Sequence, residues 1–272
     1  MSATRNRQLG TVTLVAAGPG DAELLTVRAV RALSSADLVI ADSDAVVVAK
    51  KFVAESTEIV PAVDAAGLPL EHAARSKAVV DAAKEGRHVV RLMAGDPVLD
   101  GAFARESAAL TKAKIVFDFV PGVSTVSGVA AYTGVGLTTS TSTEVRVIDG
   151  TDPDVEWHQH TSNKVTIVAL NAADRAADIA KALVKAGRDA QTAVVVTRDG
   201  TTVDQRSVVS TLEELPSALK AARHAGNGTV IIGESVAKRS ALSWFEAKPL
   251  FGWRVLLPRT KDSLAEIGRA HV

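Results

Sequence analysis

The segment that most constrains the fold is VTLVAAGPGD, residues 12–21, together with the residues after it. An apolar run ends at Ala17, and two glycines then flank a proline. Residues 22–33 place apolar side chains at helical spacing. This order of buried strand, tight turn and helix is typical of the first half of a βαβ unit. The glycines leave the backbone bare at the strand end, where a ligand can approach closely.

The composition is that of an ordinary globular chain and excludes several classes of function. The 272 residues are 47% hydrophobic, and 31 basic side chains balance 31 acidic ones. This balance and the 4% aromatic content do not suit nucleic-acid binding. Cysteine is absent, which excludes thiol catalysis and zinc–thiolate sites. Because no apolar run approaches a membrane span of ~20 residues and no secretory signal is recognised, we expect a cytoplasmic protein with no nucleic-acid or membrane partner.

Strands and helices alternate along the first half of the chain. Apolar runs at residues 36–41, 88–93 and 115–120 predict strands, and residues 71–85 and 102–113 predict helices. Such alternation favours a mostly parallel sheet that is covered on both faces. The predicted fold class is therefore α/β.

A second series of strands and helices follows a helix predicted at residues 124–132. We therefore predict two α/β domains, at residues 1–122 and 123–246. Residues 247–272 differ from both, because RVLL opens a new strand and too few residues follow it to complete a βα layer.

The glycine loop lacks the marks of a phosphate site. Glu23 stands where G-x-G-x-x-G needs its third glycine, and no G-x-x-x-x-G-K-[ST] occurs in the chain. A glycine loop without phosphate-binding features suits a nucleoside-like ligand held by backbone groups. The alternative is a tight turn with no ligand.

Three aspartates, Asp21, Asp42 and Asp96, come just beyond predicted strands. Ligands of open α/β sheets bind beyond the carboxyl ends of the strands. A single aspartate in such a place commonly caps a helix, but three along one edge favour a site.

Other catalytic and metal-binding patterns are weak. His158 and His160 could face one side of a strand, but no carboxylate is evident at ligand spacing, so we predict no metal site. The chain has no G-x-S-x-G nucleophile elbow. The pair Asp199-Gly200 predicts a turn.

Several stretches together resemble the tetrapyrrole methylases. They are VTLVAAGPGD with ELLTVRAVRALSSADLVIAD, VVRLMAGDP, FVPGVSTVSGVAAYTGVGLT, VVVTRDGTTVDQRSVVSTL and TVIIGESVAKRSALSWFE, in the order and spacing of the family over about residues 10–246. They are most similar to the members that methylate uroporphyrinogen III. The tail PLFGWRVLLPRTKD is similar to the opening strand of uroporphyrinogen-III synthase, which some bacteria carry fused to the methylase. Residues 247–272 are therefore interpreted as the start of a synthase-like segment.

The resemblance implies that S-adenosylmethionine (SAM) binds in a cleft between two α/β domains, commonly in a homodimer. The cofactor contacts that it implies are Pro19, Ala94, Gly95, Asp96, Leu99, Ser124, Thr125, Leu170 and Gly200. At Leu170, an aliphatic side chain would keep a hydrophobic wall where the family commonly has methionine.

The implied reaction is C-methylation of uroporphyrinogen III at C-2 and C-7 to give precorrin-2, on the way to sirohaem or cobalamin. Asp42 matches the aspartate after the second strand of the family, and it is our candidate general base. The substrate carries many carboxylates, for which Arg28 and Arg91 are possible partners. Surface or salt-bridge roles suit both arginines equally well.

The substrate side departs from the family pattern at several positions. Asp64 stands where the family has a lysine proton donor in G-K-R-x-G. Ala102 lies in a segment that replaces F-G-R-G-x-E, and Thr139 in one that replaces P-L-T-H-R. Two alternatives therefore stay open: a non-catalytic SAM- or tetrapyrrole-binding domain of a fused synthase, and a methylase of a later corrin precursor.

Overall fold

The computed structural model describes residues 9–224 and 226–253. The chain divides into two compact units, residues 1–128 and residues 129–272. The synthase-like strand predicted after Trp253 lies outside the described residues.

The first unit contains a five-stranded sheet in the order β3-β2-β4-β1-β5. Every pair of neighbouring strands in it is parallel. This confirms the predicted parallel sheet. The strands are β1 (Val12–Ala16), β2 (Leu38–Ala41), β3 (Glu58–Pro61), β4 (Val89–Met93) and β5 (Phe117–Val120).

The apolar runs of the sequence become central strands with both faces buried. In β1, Leu14 belongs to a hydrophobic cluster on one face and Val15 to a cluster on the other, and both side chains are fully buried. Successive side chains of a strand point to opposite faces, so a strand that is covered on both faces is typically apolar at nearly every position. This explains why VTLVA and LVIA show no alternation of apolar and polar residues.

The helices of the first unit connect its parallel strands, except α5, which follows β5. The helix predicted at residues 22–33 is in fact a short 3-10 turn (Ala22–Leu24) followed by α1. The break occurs because the Thr26 hydroxyl accepts the Ala29 N–H at 3.2 Å and so caps a new helix. The helices are α1 (Val27–Ser34), α2 (Val46–Ala49), α3 (His72–Lys84), α4 (Ala102–Lys112) and α5 (Thr125–Thr133), and the division between the units falls inside α5.

The second unit contains a mixed sheet in the order β6-β7-β10-β8-β9. Only β6 and β7 pair in parallel, and the other three pairings are antiparallel. The second sheet is therefore mostly antiparallel, unlike the parallel sheet of the first unit. The strands are β6 (Glu144–Asp149), β7 (Val165–Leu170), β8 (Ala193–Arg198), β9 (Arg206–Thr211) and β10 (Gly228–Ile232).

The core of the second unit forms between its sheet and two amphipathic helices. Ile167 of β7 and Val196 of β8 belong to one buried cluster with Leu183 and Leu215. The helices of this unit are α6 (Ala176–Lys185), α7 (Leu215–Ala221) and α8 (Arg239–Leu242).

An aromatic and polar clasp, residues 244–246, follows α8. Phe245 is buried, and its ring lies 4.6 Å from the ring of Tyr132. One carboxylate oxygen of Glu246 accepts hydrogen bonds from Gln205 at 2.8 Å and from Ser207 at 2.6 Å. The clasp therefore ties the chain after α8 to the strand and helix ends of its own unit.

None of the helices within the described part of the chain has the length and apolar character that a membrane-spanning helix needs.

Candidate functional site

Three loops lie side by side at the carboxyl edge of the first sheet. The glycine loop (residues 17–21) follows β1, the GDP loop (residues 94–99) follows β4, and the PGVS loop (residues 121–124) follows β5. They lie together because β4, β1 and β5 are adjacent and parallel. The structure thus brings together the predicted cofactor residues of the first unit, which are Pro19, Ala94, Gly95, Asp96, Leu99, Ser124 and Thr125.

Two backbone hydrogen bonds join the glycine loop to β4 and the GDP loop. The Ala17 amide donates to the Met93 carbonyl at 2.7 Å, and the Gly95 amide donates to the Gly18 carbonyl at 3.1 Å. Gly18 and Gly95 have φ values of 76° and 67°, a region that strongly favours glycine. Glycine at these two positions therefore fixes how the two loops meet.

The PGVS loop and α5 approach the end of β1 and the glycine loop so closely that no side chain fits between them. A Cβ atom on Gly122 would lie 2.9 Å from the Ala16 carbonyl oxygen. A Cβ atom on Gly128 would lie 2.7 Å from Cγ of Pro19. Pro19 is thus positioned by direct packing against the helix that begins with Thr125.

Asp21 and Asp96 cap turns of their own loops. Oδ1 of Asp21 accepts the Glu23 N–H at 2.9 Å, and Oδ1 of Asp96 accepts the Val98 N–H at 3.2 Å. Short polar side chains commonly form such turns. Asp21 therefore caps the 3-10 turn Ala22–Leu24, whereas Asp96 closes a turn of its own loop, and the next helix, α4, has Gly101 at its N-cap.

Asp42 makes contacts with residues far from it in the sequence. Its Oδ1 accepts hydrogen bonds from Nη2 of Arg91 at 2.5 Å and from Nη1 of Arg75 at 3.2 Å. Its Oδ2 accepts the backbone N–H of Ala94 at 2.9 Å. The candidate base is therefore bound to two cations and to the first residue of the GDP loop.

Arg91 is an internal residue and is not available to substrate carboxylates. Its side chain is completely buried, and its Nε donates to Oε2 of Glu106 at 2.9 Å. Its Nη1 donates to the carbonyl of Leu92 at 2.7 Å. The salt-bridge role is therefore the one that the structure supports, whereas Arg28 is exposed on α1.

Glu106, Arg75 and His72 complete this polar cluster, and the sequence did not single them out. Nη2 of Arg75 lies 2.7 Å from Nδ1 of His72. Burial lowers the pKa of His72, and the charges of Arg75 and Arg105 lower it further. Of the three, only Glu106 could have been found from the sequence. It is a charged residue one turn from the buried Ala102, on the apolar face of α4. A buried charge needs a partner there.

Asp64 and Thr139, which depart from the pattern that the resemblance implies, serve their own loops. Oδ1 of Asp64 accepts the N–H groups of Ala66 and Leu68, each at 2.9 Å. The Thr139 hydroxyl accepts the Ser142 N–H at 2.9 Å. Asp64 therefore stabilises a turn at the position where the resemblance implies a lysine.

The remaining predicted cofactor residues, Leu170 and Gly200, belong to the second unit. Both β7 and β8 are antiparallel to β10, so they run in the same direction and end at the same edge. Leu170 is the last residue of β7, and Gly200 follows β8 in a turn. A Cβ atom on Gly200 would lie 2.8 Å from Cγ2 of Val129, so only glycine fits against α5 here.

His158 and His160 do not lie on a strand, the position that the sequence allowed for them. His158 and His160 lie in a 3-10 turn, Trp157–His160, because the chain turns before β7 begins. Burial lowers the pKa of His160, and Arg146 and Arg188 lower it further. Within residues 9–224 and 226–253, no group of three or more His, Asp or Glu side chains could hold a metal ion.

A parallel sheet whose bare glycine loops meet at its carboxyl edge is typical of α/β proteins that bind a nucleoside-like cofactor. Residues 11–216 match the family described as Tetrapyrrole (Corrin/Porphyrin) Methylases. The chain belongs to this family of methyltransferases, whose methyl donor is SAM.

Curated relatives include siroheme synthases from two bacteria. The chain is 34% identical over 255 residues to the protein from Vesicomyosocius okutanii, covering 91% of this chain and 54% of that protein. It is 36% identical over 250 residues to the protein from Azotobacter vinelandii, covering 89% and 53%. The chain thus spans about half the length of the curated relatives that it matches.

Solved structures of similar proteins have the same fold. A uroporphyrin-III-C-methyltransferase from Thermus thermophilus is 27% identical with a TM-score of 0.69, over 86% of this chain and 96% of that one. A second structure of the Thermus thermophilus enzyme, complexed with S-adenyl homocysteine, is 26% identical with a TM-score of 0.66, over 84% and 99%. A cobalt precorrin-4 methyltransferase has a TM-score of 0.74 at 24% identity and bears on the fold alone.

The residues at the edge of the first sheet fit such a cofactor. A Cβ atom on Gly95 would lie 3.4 Å from Oγ1 of Thr125, so the GDP loop presents bare backbone beside α5. Val98 and Leu99 add exposed apolar side chains to the same loop. Backbone groups with aliphatic neighbours suit a nucleoside and a sulfonium better than a phosphate, which needs a cradle of N–H donors or cations.

Proposed function

We propose that this chain catalyses the SAM-dependent methylation of uroporphyrinogen III at C-2 and C-7, giving precorrin-2 for sirohaem or cobalamin synthesis. The observation that carries the proposal is the meeting of three glycine-bearing loops, one of which is hydrogen-bonded to Asp42, in a member of the tetrapyrrole methylase family. The similarity to uroporphyrin-III-C-methyltransferase supports this substrate over other tetrapyrroles.

The chain supplies orientation and a proton acceptor. SAM, when bound, supplies a methyl group on a sulfonium, which is already an electrophile, so the protein chiefly aligns the reactants. Pro19 and residues Ala94–Asp96 would hold the cofactor through backbone groups, with Leu99, Ser124 and Thr125 beside them. Leu170 and Gly200 are proposed as cofactor contacts of the second unit.

Asp42 is the proposed general base. Each oxygen of an ionised carboxylate offers two lone-pair positions, and Oδ2 accepts one described hydrogen bond, from Ala94. The side chain is 20% exposed. Oδ2 therefore has room to accept the proton that a methylated pyrrole carbon must lose.

A product assay tests this function. Purified protein is incubated with SAM and uroporphyrinogen III under reducing conditions, and the products are separated by mass. Two added methyl groups support the proposal, and a bound but unmethylated substrate contradicts it. If the protein methylates only a later corrin precursor, the substrate proposed here is wrong and the chain is a different methylase of the same family.

A second candidate function is a binding domain without turnover, attached to a synthase. It is favoured by two sets of contacts: Oδ1 of Asp42 is held by Arg91 and Arg75, and Asp64 caps its own loop where the resemblance implies a lysine. On this hypothesis, S-adenosylhomocysteine binds while no methylated product forms. The same pair of measurements therefore separates the two functions.

We also propose a cytoplasmic homodimer, as the family resemblance implies. Light scattering of the purified chain tests the dimer directly.

A further inference from the structure

Four ionised side chains form a balanced network at the carboxyl ends of β2 and β4. Arg91 binds Asp42 and Glu106 at the same time, and Arg75 binds Asp42. Nε of Arg75 also lies 3.8 Å from Oε1 of Glu106. The network, defined by these four residues, therefore contains two cations and two anions, contributed by α3, α4, the middle of β4 and the residue after β2.

The buried pair of this network, Arg91 and Glu106, costs desolvation free energy and so stabilises the fold inefficiently. Arg91 is completely buried, and the Glu106 side chain is 2% exposed. Removing two charges from water costs free energy that their attraction recovers only with good geometry, and apolar residues of similar size often serve stability equally well. The network therefore calls for an explanation besides stability.

One described hydrogen bond connects the network to the loops of the cofactor site. Oδ2 of Asp42 accepts the Ala94 N–H at 2.9 Å, and Ala94 is the first residue of the GDP loop. The next amide, that of Gly95, donates to the Gly18 carbonyl of the glycine loop. A displacement of the Asp42 carboxylate would therefore shift the GDP loop against the glycine loop.

We infer that Arg91 and Glu106 are positioning residues that act through Asp42 to set the GDP loop for the cofactor. Glu106 fixes the guanidinium of Arg91 through two contacts, to Oε2 at 2.9 Å and to Oε1 at 3.2 Å. Arg91 then fixes Oδ1 of Asp42, which leaves Oδ2 directed at Ala94. The inference rests on the proposed SAM site, but the coupling of Glu106 and Arg91 to the GDP loop can be tested without the cofactor.

The test compares Glu106→Gln with Leu110→Ala. Both side chains are buried on α4, one turn apart, but Leu110 lies in the hydrophobic cluster and outside the network. Leu110→Ala therefore reproduces a loss of stability without touching Arg91. Glu58→Gln removes an exposed ion pair with Arg87 and controls for the loss of a charge.

Two measurements are made on the full chain, at a temperature where all variants are folded. Calorimetric titration with S-adenosylhomocysteine gives Kd, and amide exchange by NMR follows residues 94 and 95. For Glu106→Gln we expect Kd to rise about fivefold or more and the two amides to exchange about fivefold or more faster. Leu110→Ala and Glu58→Gln are expected to keep both values near those of the wild type.

Each outcome decides the inference. Unchanged Kd and exchange in Glu106→Gln overturn it, and so does an equal effect of Leu110→Ala at matched stability. If wild-type protein binds no S-adenosylhomocysteine, the proposed function fails, while the exchange of residues 94 and 95 still tests the coupling. If Glu106→Gln does not fold, Glu106→Asp keeps the charge with a shorter reach, and wild-type values in that variant also overturn the inference.

Discussion

Gly128 of α5 faces Pro19 of the glycine loop, and a Cβ atom on Gly128 would lie 2.7 Å from Cγ of the proline. Alanine favours a helix interior by about 1 kcal/mol over glycine, whereas the added methyl group overpacks this contact by about 1–3 kcal/mol. Gly128→Ala should therefore change stability only modestly, because the glycine loop, which contains Pro19, moves to relieve the clash. We expect S-adenosylhomocysteine affinity to fall about tenfold, or about 1.4 kcal/mol, measured by calorimetry.

Ser127→Ala is the matched control, since Ser127 is an exposed neighbour in the same helix. It should leave both the affinity and the unfolding midpoint near those of the wild type. An unaltered affinity in Gly128→Ala would show that Pro19 has no part in binding the cofactor.

Asp42→Asn tests the proposed proton acceptor. Asparagine is close in size to aspartate, but its amide cannot take up the proton, so the methyl-transfer rate should fall by about 10²–10⁴-fold. The rate is measured in a single turnover at saturating SAM, because the same change disturbs the Ala94 contact and weakens cofactor binding.

Wild-type rates in that experiment would assign the proton to another group, and Asp42 would keep only its contacts to the arginines and to Ala94. Asp64→Asn is a suitable comparison. It keeps the oxygen that accepts the Ala66 and Leu68 amides, and it is expected to turn over as the wild type does.

His72 should make the first unit sensitive to mild acid. Its pKa is lowered from 6.5, first by burial and then by Arg75 and Arg105. A histidine with a lowered pKa in the folded state contributes stability that is complete above its unfolded pKa and is lost as the pH falls below 6.5 through the folded value. We therefore expect the melting temperature to fall between about pH 7.5 and about pH 5.5, and to fall less in His72→Asn.

His72→Lys provides the complementary case. A permanent cation beside Arg75 should lower the melting temperature at both pH values and reduce the difference between them. An acid-induced fall that is the same in all three proteins would show that other groups, such as His160 and His224, cause it.

The strands could be predicted because local composition is sufficient for them. LVIA is apolar throughout and VTLVA is apolar except at Thr13, as is typical of strands that are covered on both faces. The direction of strands in the second sheet could not be read in this way, because apolar runs look alike in parallel and antiparallel pairs. The break after Leu24 was missed because Thr26, a helix cap, stands within an otherwise continuous helical pattern.

The position of the loops of the candidate site could be predicted for a similar reason. The glycine, GDP and PGVS loops follow strands directly, so the sequence places them at one edge once the sheet is parallel. The partners of Asp42 are different, because Arg75 and Arg91 lie 33 and 49 positions away in the sequence. Such pairings depend on how helices pack on the sheet, and no local pattern encodes them.

Phe245→Ala tests whether the clasp at residues 244–246 holds the second unit together. Phe245 is 5% exposed and packs on Tyr132 of α5, while Glu246 binds Gln205 and Ser207. Loss of a buried phenylalanine side chain typically costs about 3–5 kcal/mol, so we expect a large fall in the denaturant midpoint. Trp253→Ala is the control, because Trp253 is 74% exposed and its loss should cost less than about 0.5 kcal/mol. Equal effects of the two substitutions would contradict a structural role for the clasp.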